Sequence, residues 1–270
     1  MSDSKFLKRI FMLHVLRVIN YERKKKANKV DFREKFENLR KASVVALLAI
    51  IYFKKNLHQF IGKSEKYAAK EIKRFCRQRG YWQGFPILIA SGENTQKVHG
   101  HPTNRTIKQC DIIMVDMGLK RIPRYFSDYC SDVTRTFFLG APTNFQKQVY
   151  NLVKDAHDLA LNKLKSGVRG ITLHKAAQNF IQSNGYDLPH GLGHSTRRYT
   201  HGAPFLSPYD QWSVLKENDN ITIEPGIYVP KGHPKLPKGH SPFGVRIEDL
   251  VIVRKSGYIN LTSNKKITLL

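Results

Sequence analysis

Apolar and polar residues alternate with a helical period in four segments of the chain. These segments are residues 39–53, 64–77, 145–164 and 171–181. Gly80 closes the first pair, and Asn184 with Gly185 closes the second, as expected for residues that end helices. The pattern therefore predicts two pairs of helices.

Short apolar runs bounded by turn residues predict buried strands. Two runs follow the first helix pair and three follow the second, at residues 86–90, 111–117, 220–223, 226–229 and 243–253. A helix pair followed by strands thus occurs twice. This order predicts an α+β domain with internal two-fold similarity.

The first 37 residues differ from the rest, because they are rich in charge and show no sustained apolar period after the first turns. The run ERKKKANK over residues 22–29 is an example. We therefore predict a basic N-terminal extension over residues 1–38 and one folded domain over residues 39–270.

No segment is apolar enough for a membrane span. The longest apolar run, residues 44–53, has ten residues, about half of what a bilayer-spanning helix needs. Lys8 and Arg9 interrupt the N-terminal apolar stretch, and no small-residue cleavage site follows it. We therefore predict neither a transmembrane segment nor a secretory signal.

The net charge is +25, from 46 Lys and Arg residues against 21 Asp and Glu residues. Such an excess is compatible with a nucleic-acid or membrane partner. However, the lysines are spread along the chain, and no zinc finger, RNP-like aromatic pair or GXXG loop accompanies them. We predict no specific nucleic-acid partner. The three scattered cysteines are too few for a disulfide framework, which favours a cytoplasmic location.

Four carboxylates fall on predicted strands or at their ends. Asp116 ends the run IIMVDMG and Asp132 precedes VTRTF, so the two can face each other across neighbouring strands. Glu224 follows the strand ITI, and Glu248 lies in GVRIEDLVIV two residues after Arg246. Capped turns or ion pairs, such as Arg246 with Glu248, are the alternative. Four ionised carboxylates in one core repel one another unless cations neutralise them.

Three histidines lie within one glycine-rich segment, HGLGHSTRRYTH. They are His190, His194 and His201. A lone histidine is more often structural, whereas three within twelve residues, beside strand-borne carboxylates, favour a metal site.

These motifs resemble those of the pita-bread metallopeptidases, which include methionine aminopeptidases, Xaa-Pro aminopeptidases and prolidases. The resemblance starts near Leu39 and runs to the last residue through SGENTQKVHGHPTNRTI, VDMG, SDVTRTF, PHGLGH, ITIEPGIY, GVRIEDLVIV and LTSNKKITLL. It implies a curved, mainly antiparallel sheet flanked by helices with pseudo-two-fold symmetry. Residues 39–270 would be the metallopeptidase catalytic domain.

Carried over motif by motif, the resemblance implies two divalent metal ions with Asp132 and Glu248 bridging them. The implied ligands are Asp116, Asp132, His194, Glu224 and Glu248. His194 is preferred to His190, because the family's ligand precedes a second catalytic histidine by seven positions and His201 stands there. Manganese is the favoured metal, with iron, cobalt or zinc as alternatives.

The resemblance also implies roles around the metals. Glu224 would accept the proton of water, and His201 and His99 would hydrogen-bond the substrate carbonyl or the oxyanion. His190 and Arg246 are predicted to contact the substrate.

The contexts DYCSDVTRTF, EPGIY and GVRIEDLVIV look more like Xaa-Pro aminopeptidases and prolidases than methionine aminopeptidases. The predicted function is therefore a dinuclear exopeptidase that removes the N-terminal residue of peptides, at Xaa-Pro bonds. A homodimer is left open. The alternative, favoured by the net charge, is a catalytically impaired pita-bread protein that binds proteins or nucleic acid.

Two departures from the family's pattern affect the predicted site. The segment LKRIPRYFSDYC between Asp116 and Asp132 is longer than usual and adds Asp128 as a competing ligand. In addition, residues 195–198, STRR, replace the small glycines that normally follow the ligand histidine. Their bulk and positive charge are predicted to narrow the pocket, to select acidic substrates or to abolish turnover.

Overall fold

Four α-helices are formed by the residues that the computed structural model describes, which are 33–121, 130–196 and 201–263. Helix α1 covers residues 33–55, α2 Glu65–Arg77, α3 Asn144–Lys163 and α4 Gly170–Ser183. Short 3-10 helices cover Leu57–Phe60 and Gly92–Gln96. All four predicted helices are present. Residues Leu39–Leu270 belong to one compact unit, and the predicted N-terminal extension falls mainly outside the described residues.

Side-chain caps explain where two helices begin. The Ser64 hydroxyl accepts a hydrogen bond from the backbone N–H of Tyr67 at the start of α2. At α3, Thr143 and Gln146 form a reciprocal capping box. These polar side chains satisfy backbone N–H groups that have no partner within the helix.

Twelve strands are found in the described part of the chain. They are β1 Tyr81–Gln83, β2 Leu88–Ser91, β3 Ile112–Met117, β4 Leu119–Arg121, β5 Val133–Phe138, β6 Gly193–Ser195, β7 Gly202–Leu206, β8 Asn220–Ile223, β9 Gly226–Val229, β10 Phe243–Arg246, β11 Asp249–Arg254 and β12 Gly257–Asn260. The sheets have the orders β1-β4, β2-β3-β5, β6-β7, β12-β11-β8 and β10-β9. Each of these strand pairs is antiparallel.

The single strand predicted over residues 243–253 is wrong. Strand β10 pairs with β9, whereas β11 pairs with β8 and β12. Ile247 and Glu248 lie between the two strands, and Glu248 forms an isolated bridge with Thr134 at the start of β5. The chain therefore changes sheets at the residue predicted to bind metal.

The buried apolar residues form two main clusters. In the first, Phe53 of α1 and Ile72 of α2 join Ile113 of β3. In the second, Val153 of α3 and Leu173 of α4 join the residues of β8 to β11. Each cluster combines a helix pair with antiparallel strands, which agrees with the repeated order predicted from the sequence.

A search of the described helices finds none with the length and apolar character needed to cross a membrane.

His174 of α4 makes the stability of this fold depend on pH. Its side chain is 1% exposed, neither ring nitrogen has a hydrogen-bond partner among the described residues, and burial lowers its pKa. The unfolded chain therefore takes up a proton below about pH 6.5 that the folded chain resists. Stability should fall as the pH drops below that value.

We expect His174→Leu to raise the free energy of unfolding, by about 1–3 kcal/mol, because it removes unpaired buried polar atoms. The gain over the parent should be larger at pH 5.5 than at pH 7.5 in urea denaturation. Replacing the exposed His58 by leucine is the control and should not reproduce this difference. An equal pH dependence in the parent and in His174→Leu would contradict the prediction.

Candidate metal centre

The five predicted ligands converge on one cavity of about 180 Å³. Asp116 lies on β3, Asp132 directly before β5, His194 on β6, Glu224 between β8 and β9, and Glu248 between β10 and β11. Strands β3 and β5 are hydrogen-bonded neighbours, as predicted for the two aspartates. Residues from both halves of the chain therefore build the site.

Asp132, His194 and Glu248 form the tightest part of this cluster. Each offers one oxygen or nitrogen atom, and these atoms all lie within 4.8 Å of one another. The residues are 3%, 6% and 2% exposed. Two carboxylates and one imidazole at this spacing fit a divalent cation that takes oxygen and nitrogen ligands.

Electrostatics in the cluster also favour a cation. Burial, together with the charge of Glu248, raises the pKa of Asp132 well above its usual range. Burial, together with the charge of Glu224, does the same to the pKa of Glu248. Both carboxylates are thus costly to ionise in the protein alone, and a bound cation would stabilise their charged form.

Glu224 and His194 are in direct contact within the site. Glu224 Oε1 lies 3.2 Å from His194 Nε2. Burial would raise the pKa of Glu224, but the hydrogen bond and charge of His194 outweigh it and bring the pKa to about 2. Burial opposes charge on His194 as well, but Glu224 raises the pKa of this imidazole. Glu224 is therefore ionised at neutral pH.

One carboxylate oxygen of Asp116 accepts a hydrogen bond, and the other has no partner in the part of the chain that the structure describes. Its Oδ2 accepts a hydrogen bond of 2.6 Å from Arg246 Nη2. Its Oδ1 is buried and has no hydrogen-bond partner among the described residues. Because a buried carboxylate oxygen normally has a partner, Oδ1 fits the predicted role of Asp116 as a ligand.

Arg246 is 3% exposed, and each of the three nitrogens of its guanidinium group donates a hydrogen bond within the protein. Besides Asp116, it donates to Val98 O at 3.0 Å, to Tyr228 Oη at 2.9 Å and to Thr134 Oγ1 at 3.3 Å. The alternative of an Arg246–Glu248 ion pair is thus wrong, because the partner is Asp116. Arg246 lines the cavity, and its contact with substrate stays a prediction.

Two threonines that were not predicted from the sequence contact predicted ligands. Thr134 Oγ1 donates to Glu248 Oε2 at 2.7 Å. Thr222 Oγ1 accepts the backbone N–H of His194 at 3.0 Å and lies 3.3 Å from Glu224 Oε1. Each threonine is two residues from a predicted ligand in the sequence. Neither ligand lies within the strand of its threonine, so this spacing alone could not have identified the two threonines.

The remaining predicted histidines surround the same cavity. His99 and His201 are exposed at its edge, and the ring centroid of His201 lies 4.4 Å from that of His194. Both also line an adjoining cavity of about 360 Å³. Burial and then the charge of His194 lower the pKa of His201, which favours a neutral imidazole.

His190 is half-buried between Gly191 and Tyr228. Its Nδ1 lies 2.8 Å from Gly191 O and its Nε2 lies 3.0 Å from Tyr228 Oη. The carbonyl can only accept a hydrogen bond, so Nδ1 carries the proton and Nε2 accepts from the tyrosine. His190 lines both cavities, in agreement with its predicted place beside the substrate.

The departures at residues 195–198 are only partly described. Ser195 and Thr196 are buried and contact Asn220, and neither lines the two cavities. Ser195 and Thr196 therefore do not narrow either cavity. Arg197, Arg198 and Asp128 lie outside the described residues, so their predicted effects stay predictions.

These features define the class of the protein as an α+β protein with a buried carboxylate and imidazole site suited to a metal. The chain belongs to metallopeptidase family M24, whose sequence model matches residues 37–255. The family predicted from the motifs is thus confirmed.

Curated relatives agree with this assignment. The chain is 34% identical to an Xaa-Pro dipeptidase of Pyrococcus horikoshii over 208 residues, which are 76% of this chain and 55% of that protein. It is 32% identical to an Xaa-Pro dipeptidase of Pyrococcus furiosus over 240 residues, covering 88% of this chain and 64% of the relative. The chain therefore spans less than two thirds of the length of these relatives.

Solved structures confirm the pita-bread fold. Prolidase from Pyrococcus furiosus matches with a TM-score of 0.77 and 32% identity, over 86% of this chain and 64% of that one. An X-Pro aminopeptidase from Thermotoga maritima matches with a TM-score of 0.74 and 28% identity, over 89% and 65%. The resemblance to the Xaa-Pro branch is confirmed as well.

Proposed function

We propose that this chain is a metal-dependent exopeptidase that removes an N-terminal residue from peptides with proline in the second position. The observation that carries the proposal is the convergence of Asp132, His194 and Glu248 within 4.8 Å, in the cavity that Asp116 and Glu224 also line. The family and the names of its relatives support the same activity.

The five predicted ligands, Asp116, Asp132, His194, Glu224 and Glu248, would together hold two divalent cations. When bound, the cations would neutralise the carboxylates, polarise the scissile carbonyl and lower the pKa of a water molecule. Manganese suits a donor set of four carboxylates and one imidazole, and iron, cobalt and zinc are the alternatives to test.

Side chains around the cavity would perform the remaining steps. Glu224, ionised at neutral pH, can accept the proton of the attacking water. His201 and His99, at the cavity edge, can donate hydrogen bonds to the carbonyl oxygen as it gains charge. His190, which lines both cavities, can contact the substrate. A cytoplasmic location completes the proposal.

A peptide panel tests the activity. With manganese restored after chelation, dipeptides and tripeptides with proline in the second position should be cleaved about tenfold faster or more than matched alanine peptides. Chromatography of the released residue measures the rates. Methionine-alanine peptides as the best substrates would contradict the Xaa-Pro assignment and leave metallopeptidase chemistry intact. Complete lack of turnover by fully metallated protein would favour the alternative of a binding module.

A further inference from the structure

Strand β5 holds the segment that carries Glu248 through three consecutive residues, Thr134, Arg135 and Thr136. Thr134 contacts the Glu248 carboxylate, and its carbonyl accepts the Glu248 N–H at 3.1 Å. Thr136 Oγ1 lies 2.9 Å from Arg246 O and 3.2 Å from Arg246 N. Ile247 and Glu248 belong to neither β10 nor β11, so the bonds from Thr134 replace the sheet ladder at Glu248, while Thr136 binds the last residue of β10.

Arg135 approaches the same segment from the opposite face of β5. It is 7% exposed and does not line the cavity. Its Nη1 donates to the backbone carbonyl of Glu248, at 2.5 Å, and to that of Thr134, at 3.0 Å. Thr134 thus contacts the side chain and the N–H of Glu248, and Arg135 contacts the carbonyl of Glu248.

The second terminal nitrogen of the Arg135 guanidinium group is hydrogen-bonded to Asp249 and to the segment after β12. Arg135 Nη2 donates to Asp249 Oδ1 at 2.6 Å and to Thr262 O at 2.7 Å. Asp249 also accepts from Thr262 Oγ1 at 2.9 Å and from Asn260 Nδ2 at 2.7 Å. A fork of planar donors bonded in this way has a fixed orientation.

We propose that Arg135, oriented by Asp249, is a positioning residue that fixes the main chain of Glu248 so that its carboxylate meets Asp132 and His194. This proposal rests on the proposed role of Glu248 as a metal ligand. Arg135 itself does not line the cavity. Removing outer contacts of a metal ligand typically lowers metal affinity by about 10–100-fold.

The test is manganese titration of the chelator-treated full chain by calorimetry, with the Mn²⁺ electron paramagnetic resonance signal as a second readout. The variant is Arg135→Met with Asp249→Leu, since replacing both partners of a buried ion pair by apolar residues often preserves folding. We expect a 10–100-fold weaker manganese affinity, measured under conditions in which urea denaturation shows the metal-free variant to be folded.

The matched control is Arg105→Met with Asp111→Leu. This ion pair is also 2.6 Å long and largely buried, but neither residue contacts the cluster. Its removal should leave the manganese affinity unchanged. If the Arg135 double variant fails to fold, Arg135→Lys carries the test, because one ammonium group cannot reach the Glu248 carbonyl, Asp249 and Thr262 together.

Manganese affinity within twofold of the parent, in the double variant or in Arg135→Lys, would overturn the positioning role alone. A parent chain that binds neither manganese nor cobalt, iron or zinc would overturn the proposed function, and the positioning role with it. The two failures are therefore distinguishable in one titration series.

Discussion

Replacing Arg246 by methionine is expected to lower the free energy of unfolding of the metal-free protein by about 3–5 kcal/mol. The guanidinium group is the partner of Asp116, and the hydrogen-bonded nitrogen and oxygen are 2.6 Å apart. Without it, Asp116 keeps a largely buried carboxylate with no compensating charge. Urea denaturation in the presence of a chelator measures the loss.

Two further results would identify Asp116 as the cause of this loss. Burial raises the pKa of Asp116, so the deficit should shrink as the pH falls toward the unfolded pKa of about 3.9, where the carboxyl group is protonated. Saturating manganese should also reduce the deficit, because a cation bound at Asp116 would supply the compensating charge that Arg246 no longer provides and would therefore stabilise the variant more than the parent. A loss below about 1 kcal/mol in the metal-free protein would show that water already solvates Asp116.

The sequence predicted those elements whose ends carry local signals. Strands β8 and β9 match the predicted residues 220–223 and 226–229, since Glu224 and Pro225 separate two β-rich runs. Helix α3 starts within one residue of its prediction because Thr143 and Gln146 form a capping box in the sequence itself. In such cases the residues at the ends of a helix or strand are sufficient to predict its limits.

The sequence could not show where residues 243–253 change sheets. The alternation of polar and apolar residues is the same for one long strand and for two strands that share a direction. The break occurs because Thr134, more than a hundred residues earlier, bonds to Glu248 from β5. The position of the break therefore depends on a tertiary contact, the one between Thr134 and Glu248.

The ion-pair partner of Arg246 could not be predicted from the sequence for a related reason. Arg246 and Glu248 are two residues apart, which predicts that their side chains lie on the same face. Residues two apart share a face only within a continuous strand. The strand ends at Arg246, so the side chain is free to meet Asp116 on β3. Motif resemblance still identified five residues that line one cavity, because a family's motifs reflect tertiary proximity, which periodicity does not.

Alanine substitutions at two neighbouring histidines, His194 and His201, are expected to have different effects on metal content. His194 Nε2 lies 3.2 Å from Glu224 and 3.9 Å from Asp132, within the carboxylate cluster. His201 is exposed at the cavity edge, although the two ring centroids are only 4.4 Å apart. We therefore expect His194→Ala to lose metal and activity together, as measured by elemental analysis and peptide hydrolysis.

His201→Ala should instead retain its metal, because no proposed ligand is removed, and should lose about 100-fold or more in kcat if it supplies one oxyanion contact. His58→Ala, at an exposed position outside the cavity, is the control for changes in histidine content and should match the parent in both measurements. Loss of metal by His201→Ala with retention by His194→Ala would reverse the two roles. Such a reversal would mean that the imidazole ligand follows the segment 195–198 instead of preceding it.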